Sequence, residues 1–266
     1  MLLATRSRWT QLFAVVFGGL AIAVASSGYI FSGGSGIQDF SRTAASLMQL
    51  VLLLVPLTSL VMGVLALTPE RGGAEMLFAQ PIARRTVLFG TLLGLFEALI
   101  TAQAIGFGAA GLLIFARTGD GDFGGFAAVV LGSVALTAVS LAIAAALAAG
   151  QFGRRRVRAL AAALITWFSL ALLFDVVVLG AASLLRSGHA SRLLIISILV
   201  NPVDAVRTGT LLAVEGTAAF GPASLALLRF TGGMAGAAAL IGLSIAVWVA
   251  APLTWAVRRL SAVDIA

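Results

Sequence analysis

The chain has 266 residues, of which 61% are apolar and 10% charged, and its mean hydropathy is +1.11. These values exclude a soluble globular domain and predict an all-α polytopic membrane protein. The formal net charge is +7, and arginine alone carries the positive charge because the sequence has no lysine. The absence of cysteine excludes disulfides, thiolate metal sites and a cysteine nucleophile.

Six stretches are long and apolar enough to cross a bilayer, since a transmembrane helix needs about 20 residues. They predict one transmembrane domain over residues 1–266. The predicted spans are residues 12–31, 47–68, 87–116, 125–149, 159–185 and 232–257. A short charged segment at 69–86 separates the second span from the third, and a long segment at 186–231 precedes the last span.

The distribution of arginine predicts the orientation of these spans. Most of the 17 arginines fall on one side of the membrane if the N-terminus is taken as cytoplasmic. Both termini and segment 69–86 are therefore predicted to be cytoplasmic, and segment 186–231 to be outside. Trp255 lies near the cytoplasmic end of the last span, as expected of an interfacial anchor.

The outer segment contains one stretch, Leu193 to Val203, that is apolar but too short to span. It predicts a helix that lies at the interface or that enters the membrane and leaves on the same side. Asn201 and Pro202 are predicted to end this helix, and Asp204 to cap the next one. The glycine- and serine-rich residues 32–46 are predicted to form a loop.

Several chemistries are missing from the sequence. A phosphate-binding P-loop requires lysine, so the chain cannot be a conventional ATPase by itself. The one histidine, His189, is predicted to be solvated in the outer segment, and no metal site is predicted.

Two acidic residues lie inside predicted spans, where an ionisable group is costly and a functional candidate. Glu97 shares a helix face with Gly90, Gly94 and Thr101, which predicts that it points into a helix interface and not into lipid. Asp175 has no arginine in its own span. For both acids, a structural hydrogen bond and a role in substrate handling or gating remain open.

Segment 69–86 has the pattern of a short interfacial helix. Gly72-Gly73 ends the incoming helix, residues 74–80 can form two amphipathic turns, and Pro81 stops them. The basic pair Arg84-Arg85 then marks the start of the third span.

The residues of this segment resemble the signature of ABC type-2 permeases. The matching parts are Glu70 to Leu77, Gln80 to Arg85 and Leu88 to Gly90. The chain departs from the pattern at Ala74, where threonine is usual, and at Thr91, where lysine is usual. The resemblance implies a coupling segment that contacts a separate ATPase. The coupling residues are then Glu70, Arg71, Glu75, Met76, Phe78, Pro81, Arg84 and Arg85.

Within this family, the chain most resembles the permeases of the Nos copper-processing transporters, which support maturation of nitrous oxide reductase. Phe174 to Leu179, Leu199 to Arg207 and Glu215-Gly216 carry this likeness. The resemblance implies contact with a periplasmic, carbohydrate-binding-like protein. The contact residues are then Asn201, Pro202, Asp204, Arg207 and Glu215.

The resemblance further implies a homodimer in the bacterial inner membrane. ATP and magnesium would be bound by the partner ATPase and no cofactor by this chain. Three alternatives stay open: a generic ABC exporter of lipid, drug or polysaccharide, a structural membrane scaffold, and a proton-coupled secondary transporter that uses Glu97 and Asp175.

Overall fold

The computed structural model describes residues 8–32, 36–68, 83–118, 123–150, 155–215 and 222–263. Every regular element within these ranges is a helix, which confirms the all-α class. The helices are α1 Arg8–Ser32, α2 Gly36–Leu67, α3 Arg84–Thr118, α4 Phe123–Ala149, α5 Arg156–Phe168, a π-helical turn Ser169–Leu173, α6 Phe174–Ser183, α7 Ser187–Val200, α8 Pro202–Glu215, α9 Pro222–Thr231 and α10 Met234–Val263.

Five of the six predicted spans coincide with long apolar helices. Within the described ranges, the helices that are long and apolar enough to cross a membrane are Ser46–Leu67 of α2, Arg84–Leu112 of α3, all of α4, the continuous stretch Arg156–Ser183 and Met234–Leu260 of α10. The first predicted span, residues 12–31, lies in α1, a helix of 25 residues whose apolar part, Gln11–Val24, is shorter than those of the other five. The continuous stretch Arg156–Ser183, which joins α5, the π turn and α6, is called span five below.

One predicted boundary was wrong. Residues 32–46 were expected to be a loop, but α2 begins at Gly36, because no proline or further glycine interrupts the sequence before the apolar part of the helix. Helix α3 begins at Arg84, the first residue of the basic pair that was predicted to mark the start of the third span. Most of the predicted coupling segment, residues 69–82, lies outside the described residues.

Helix α4 is the centre of the bundle. In its most apolar stretch 56% of the residues are buried, and it packs against α2, α3, α8 and α10. Small residues allow this close approach: a β-carbon added at Gly63 of α2 would lie 2.7 Å from the β-carbon of Ala144 in α4. The crossing of α1 and α3 is equally close, since a β-carbon at Gly106 would lie 2.8 Å from Phe17.

A buried polar network joins α3 to α4. The side-chain amide of Gln103 donates to Thr137 Oγ1 at 2.8 Å, and the hydroxyl of Ser133 donates to Gln103 Oε1. All three side chains are buried, so the network satisfies polar groups that would be costly in lipid. The spacing of four residues between Ser133 and Thr137 is a signal for it in the sequence, but neither residue was among the predicted site residues.

Candidate functional site

Helices α7 and α8 form a re-entrant hairpin. Each has 14 residues, about 21 Å of helix, which is too short for a hydrocarbon core of about 30 Å. The two helices meet at a break beside Asn201, where the chain bends by 102°. The hairpin follows the end of span five at Ser183, and α9 then leads into α10 at Met234. The end of α4 and the last part of α10 meet at Gly150 and Trp255, so the opposite ends of span five and α10 share the other side of the bundle. The hairpin therefore enters and leaves on that side, which is one of the two arrangements that the sequence predicted.

The tip of the hairpin reaches the middle of the membrane-spanning bundle. The Asn201 side-chain amide donates to the carbonyl oxygen of Leu170 at 2.8 Å. Leu170 lies about 20 Å from either end of the 28-residue span five. The Ser244 hydroxyl, well inside α10, donates to the carbonyl oxygen of Leu199 at 2.6 Å. A break in helical backbone at this depth is tolerated only inside protein, and Asn201 is fully buried.

Asn201 also starts the second helix of the hairpin. Its Oδ1 accepts a hydrogen bond from the backbone N–H of Val203 at 3.0 Å, and Pro202 occupies the first helical position. The prediction that Asp204 caps this helix was therefore wrong. An asparagine side chain offers both an amide donor and a carbonyl acceptor, so one residue can cap α8 and bind span five at the same time.

Arg207 joins the hairpin to span five through two carboxylates. Its Nη1 lies 2.6 Å from Asp175 Oδ2, and its Nη2 donates to Asp204 Oδ1. The Asp204 side chain is 7% exposed, while those of Asp175 and Arg207 are 26% and 35% exposed. A single cation between two carboxylates satisfies both, and losing it would leave two neighbouring negative charges in a largely apolar site.

The ion-pair cluster supplies the partner that Asp175 lacks in its own span, and the burial of the residues around it corrects the predicted contact with a periplasmic protein. Asp175 has its arginine partner on α8, not in its own span. Asn201, Pro202 and Asp204 were predicted to contact a periplasmic protein, but all three are buried. They therefore cannot form a contact surface in this conformation, and they hold the hairpin in place. The side chain of Glu215 lies outside the described residues.

The π turn in span five carries the acceptor for Asn201. Residues 169–173 form a turn that is wider than an α-helical one, and Leu170 is in it. Single π turns inside helices are often found at functional sites. Here the turn, the hairpin break and the Asp175–Arg207 pair lie within two helical turns of one another along span five, and together they are called the mid-membrane latch below.

The other predicted site residues lie apart from the latch. Glu70, Arg71, Glu75, Met76, Phe78 and Pro81 lie outside the described residues. Arg84 and Arg85 form the first turn of α3, where Arg84 is half-buried and Arg85 exposed. His189 is exposed on α7, as predicted. Among the described residues, no three His, Cys, Asp or Glu side chains converge to hold a metal ion.

Glu97 does not lie in an interface within the chain. Its side chain is exposed on the outside of α3, and Thr101 Oγ1 donates to its backbone carbonyl at 2.7 Å. A β-carbon added at Gly90 or Gly94 would meet nothing within 4 Å. The small residues beside Glu97 thus leave an open face, and the predicted interface, if it forms, requires another molecule.

Comparison with known proteins identifies the class. Residues 4–265 match the family model described as "ABC-2 family transporter protein", so the chain belongs to the ABC-2 transporter family. It is similar to a protein of Pseudomonas aeruginosa named "Probable ABC transporter permease protein NosY", with 33% identity over 258 residues, 94% of this chain and 91% of the relative. A protein of Stutzerimonas stutzeri with the same name is 30% identical over 254 residues, 93% of this chain and 90% of the relative.

The family resemblance inferred from Glu70 to Arg85 is thereby confirmed, as is the likeness to Nos permeases. The chain is a multi-pass membrane protein and an ABC transporter permease subunit. The proton-coupled alternative, which relied on Glu97 and Asp175, loses support, because Asp175 is bound in an ion pair with Arg207.

Proposed function

We propose that the chain is the permease subunit of a NosY-like ABC transporter in a bacterial inner membrane and that it contains no catalytic site. A separate NosF-like ATPase binds ATP and magnesium on the cytoplasmic side, where most of the arginines and both termini lie. The observation that carries the proposal furthest is the mid-membrane latch. It connects the two stretches on which the likeness to Nos permeases rests, Phe174 to Leu179 and Leu199 to Arg207.

A set of contacts leads to this latch from α2, the helix that precedes the predicted coupling segment in the sequence. Helix α2 packs against α5, where Trp167 Nε1 donates to the carbonyl oxygen of Leu53 at 3.0 Å. Three residues beyond Trp167 is Leu170, which accepts from Asn201. Movement of α2 caused by ATP binding at the coupling segment would thus reach the hairpin through span five.

A second copy of the chain would cover span five. In the most apolar stretch of this span only 6% of the residues are buried, the lowest value among the five described spans. Its exposed side chains include Phe168, Val176 and Val177. A helix with so few contacts in its own chain is suited to a homodimer interface.

The homodimer predicts a specific cross-link. Because the natural chain lacks cysteine, Val177→Cys introduces a single thiol. We expect mild oxidation in membranes to convert most of this variant to a disulfide-linked dimer on a non-reducing gel. Leu131→Cys is the matched control, since Leu131 is 67% exposed on α4. Equal cross-linking of both variants, or none of Val177→Cys, would contradict an interface at span five.

The likeness to Nos permeases suggests a more specific function than that of an ABC permease, namely a role in copper supply. We expect the complex to act with a NosD-like periplasmic protein and to supply copper, as cargo, for nitrous oxide reductase maturation. The chain has no cysteine, so force transmission to the periplasmic protein is a better role for it than tight copper binding. Exposed apolar residues near the re-entrant side, Leu184 and Phe230, are available for that contact.

Deleting the gene in a host that makes nitrous oxide reductase tests the copper role. We expect the reductase to be isolated with most of its copper missing and its activity reduced at least tenfold, and the restored gene to recover both. Copper content should be measured on the purified enzyme by mass spectrometry. A reductase with full copper content in the deletion strain would show that the chain serves another cargo.

One observation favours a generic ABC exporter as the second candidate. An apolar cavity of about 540 Å³ lies between α4, α8 and α10, lined by residues such as Gly132, Thr210 and Ile241. Its size and lining suit an apolar molecule. Stimulation of ATP hydrolysis by a lipid or a drug, with normal reductase copper in the deletion strain, would support this alternative.

A further inference from the structure

A second cavity lies at the arginine-rich end of the bundle, between the end of α4 and the last part of α10. Its volume is about 600 Å³, within the range of ligand pockets. The inner walls are apolar and are formed by Ile143, Ala146, Leu147, Trp248 and Pro252. From Ile143 to Gly150 the cavity follows about 10 Å of α4, so it is an elongated slot parallel to the helices.

The mouth of this slot carries a cation and an aromatic ring. The guanidinium carbon of Arg259 lies 5.4 Å from the centre of the Trp255 ring, a cation–π contact that fixes both side chains. Gly150 makes room for the ring, because a β-carbon there would lie 3.2 Å from Trp255 Cη2. Within the part of the chain that the structure describes, Arg259 forms no ion pair. Its charge is therefore available to an anion at the mouth.

These features together suit an amphiphile with a negatively charged head. We infer that the slot binds an anionic phospholipid, with an acyl chain between α4 and α10 and the phosphate on Arg259. Tryptophan and arginine at this level are typical of the membrane–water interface, where lipid phosphates lie.

A free phosphate could satisfy Arg259 but would leave the apolar slot unused, so the lipid is the better occupant. The lipid site is inferred from the cavity and from the side chains at its mouth, so it does not depend on the proposed transport role. If the arginine-rich end is cytoplasmic, as proposed above, the lipid belongs to the inner leaflet.

Native mass spectrometry of the full-length chain in detergent tests the inference. The probes are phosphatidylglycerol and phosphatidylcholine with identical acyl chains, and glycerol phosphate as the headgroup alone. We expect preferential binding of phosphatidylglycerol, about fivefold weaker in Arg259→Gln, as for loss of one basic group near the headgroup. Ala146→Leu should weaken binding of both lipids, because it fills the slot without changing charge.

Arg158→Gln is the matched control, since Arg158 is exposed at the same end but does not line the slot. It should leave the affinity for phosphatidylglycerol unchanged. Equal losses in Arg259→Gln and Arg158→Gln would show general surface attraction and overturn the site. Equal binding of the two lipids, or displacement of phosphatidylglycerol by glycerol phosphate, would also overturn the site. Thermal unfolding of each variant verifies that the fold is intact.

Discussion

Replacing Arg207 with glutamine is expected to destabilise the chain by about 2–3 kcal/mol, less than the cost of about 3–5 kcal/mol for a fully buried ion pair, because the Arg207 side chain is 35% exposed. The change leaves Asp175 and Asp204 as neighbouring carboxylates with no cation, and Asp204 is almost fully buried. The hydrogen bond from Asn201 to Leu170 would remain between the hairpin and span five. Thermal unfolding of the purified protein in detergent measures the loss.

Arg192→Gln is the matched control, because Arg192 is on the same hairpin but is exposed. It should change stability by less than about 0.5 kcal/mol, as is usual for surface positions. Adding Asp204→Asn to Arg207→Gln should recover part of the lost stability, since one of the two carboxylates becomes neutral. If Arg207→Gln were as stable as Arg192→Gln, the latch would have no energetic role.

Reversing the charge of Glu75 is expected to separate the chain from its ATPase. Glu75 is in the predicted coupling segment, and the family resemblance implies that its side chain contacts the ATPase. Like charges brought together at an interface cost several kilocalories per mole, so Glu75→Arg should weaken the ATPase affinity about 100-fold, or about 3 kcal/mol. Titration of the separately purified ATPase onto the chain in nanodiscs measures this affinity.

The control for Glu75 is Arg158→Glu, a charge reversal in the first turn of α5 at the same end of the bundle. It should leave the ATPase affinity within about twofold, while Glu75→Gln should give an intermediate loss. An unchanged affinity in Glu75→Arg would remove Glu75 from the contact and leave the coupling role of the segment without support.

Five of the predicted spans coincide with long apolar helices because their signal is local. About 20 apolar residues in succession must cross the membrane as a helix, whatever their neighbours. The beginning of α2 at Gly36 was missed because composition alone does not fix where a helix starts. Because Leu193 to Val203 is too short to span, the sequence predicted either an interfacial helix or a re-entrant one, and length alone could not choose between them.

The mid-membrane latch was not predictable, although Asp175 and the stretch Leu199 to Arg207 were both predicted to be functional candidates. Asp175 and Arg207 are 32 residues apart, and neither stretch contains a signal that a bent hairpin brings them together. Asn201 was interpreted as a helix breaker and Asp204 as a cap, because those are their commonest roles near proline. Asn201 in addition binds Leu170, and Asp204 binds Arg207 instead of capping the helix, because a polar side chain at mid-membrane depth must bind within the protein.

For Glu97, the sequence predicted an interface that the single chain does not form. Its small neighbours at helical spacing indicated an interface, and the single chain leaves that face open. Helical periodicity identifies which residues share a face, but it cannot say which molecule covers the face.

We propose that this permease works only together with a separate ATPase. The most direct test is to purify the tagged chain from its native membranes and to identify what accompanies it by mass spectrometry. We predict an equal amount of a Walker-type ATPase, a periplasmic protein, and ATP hydrolysis that is lost in Glu75→Arg. Recovery of the chain alone, as a stable monomer without ATP hydrolysis, would contradict the account.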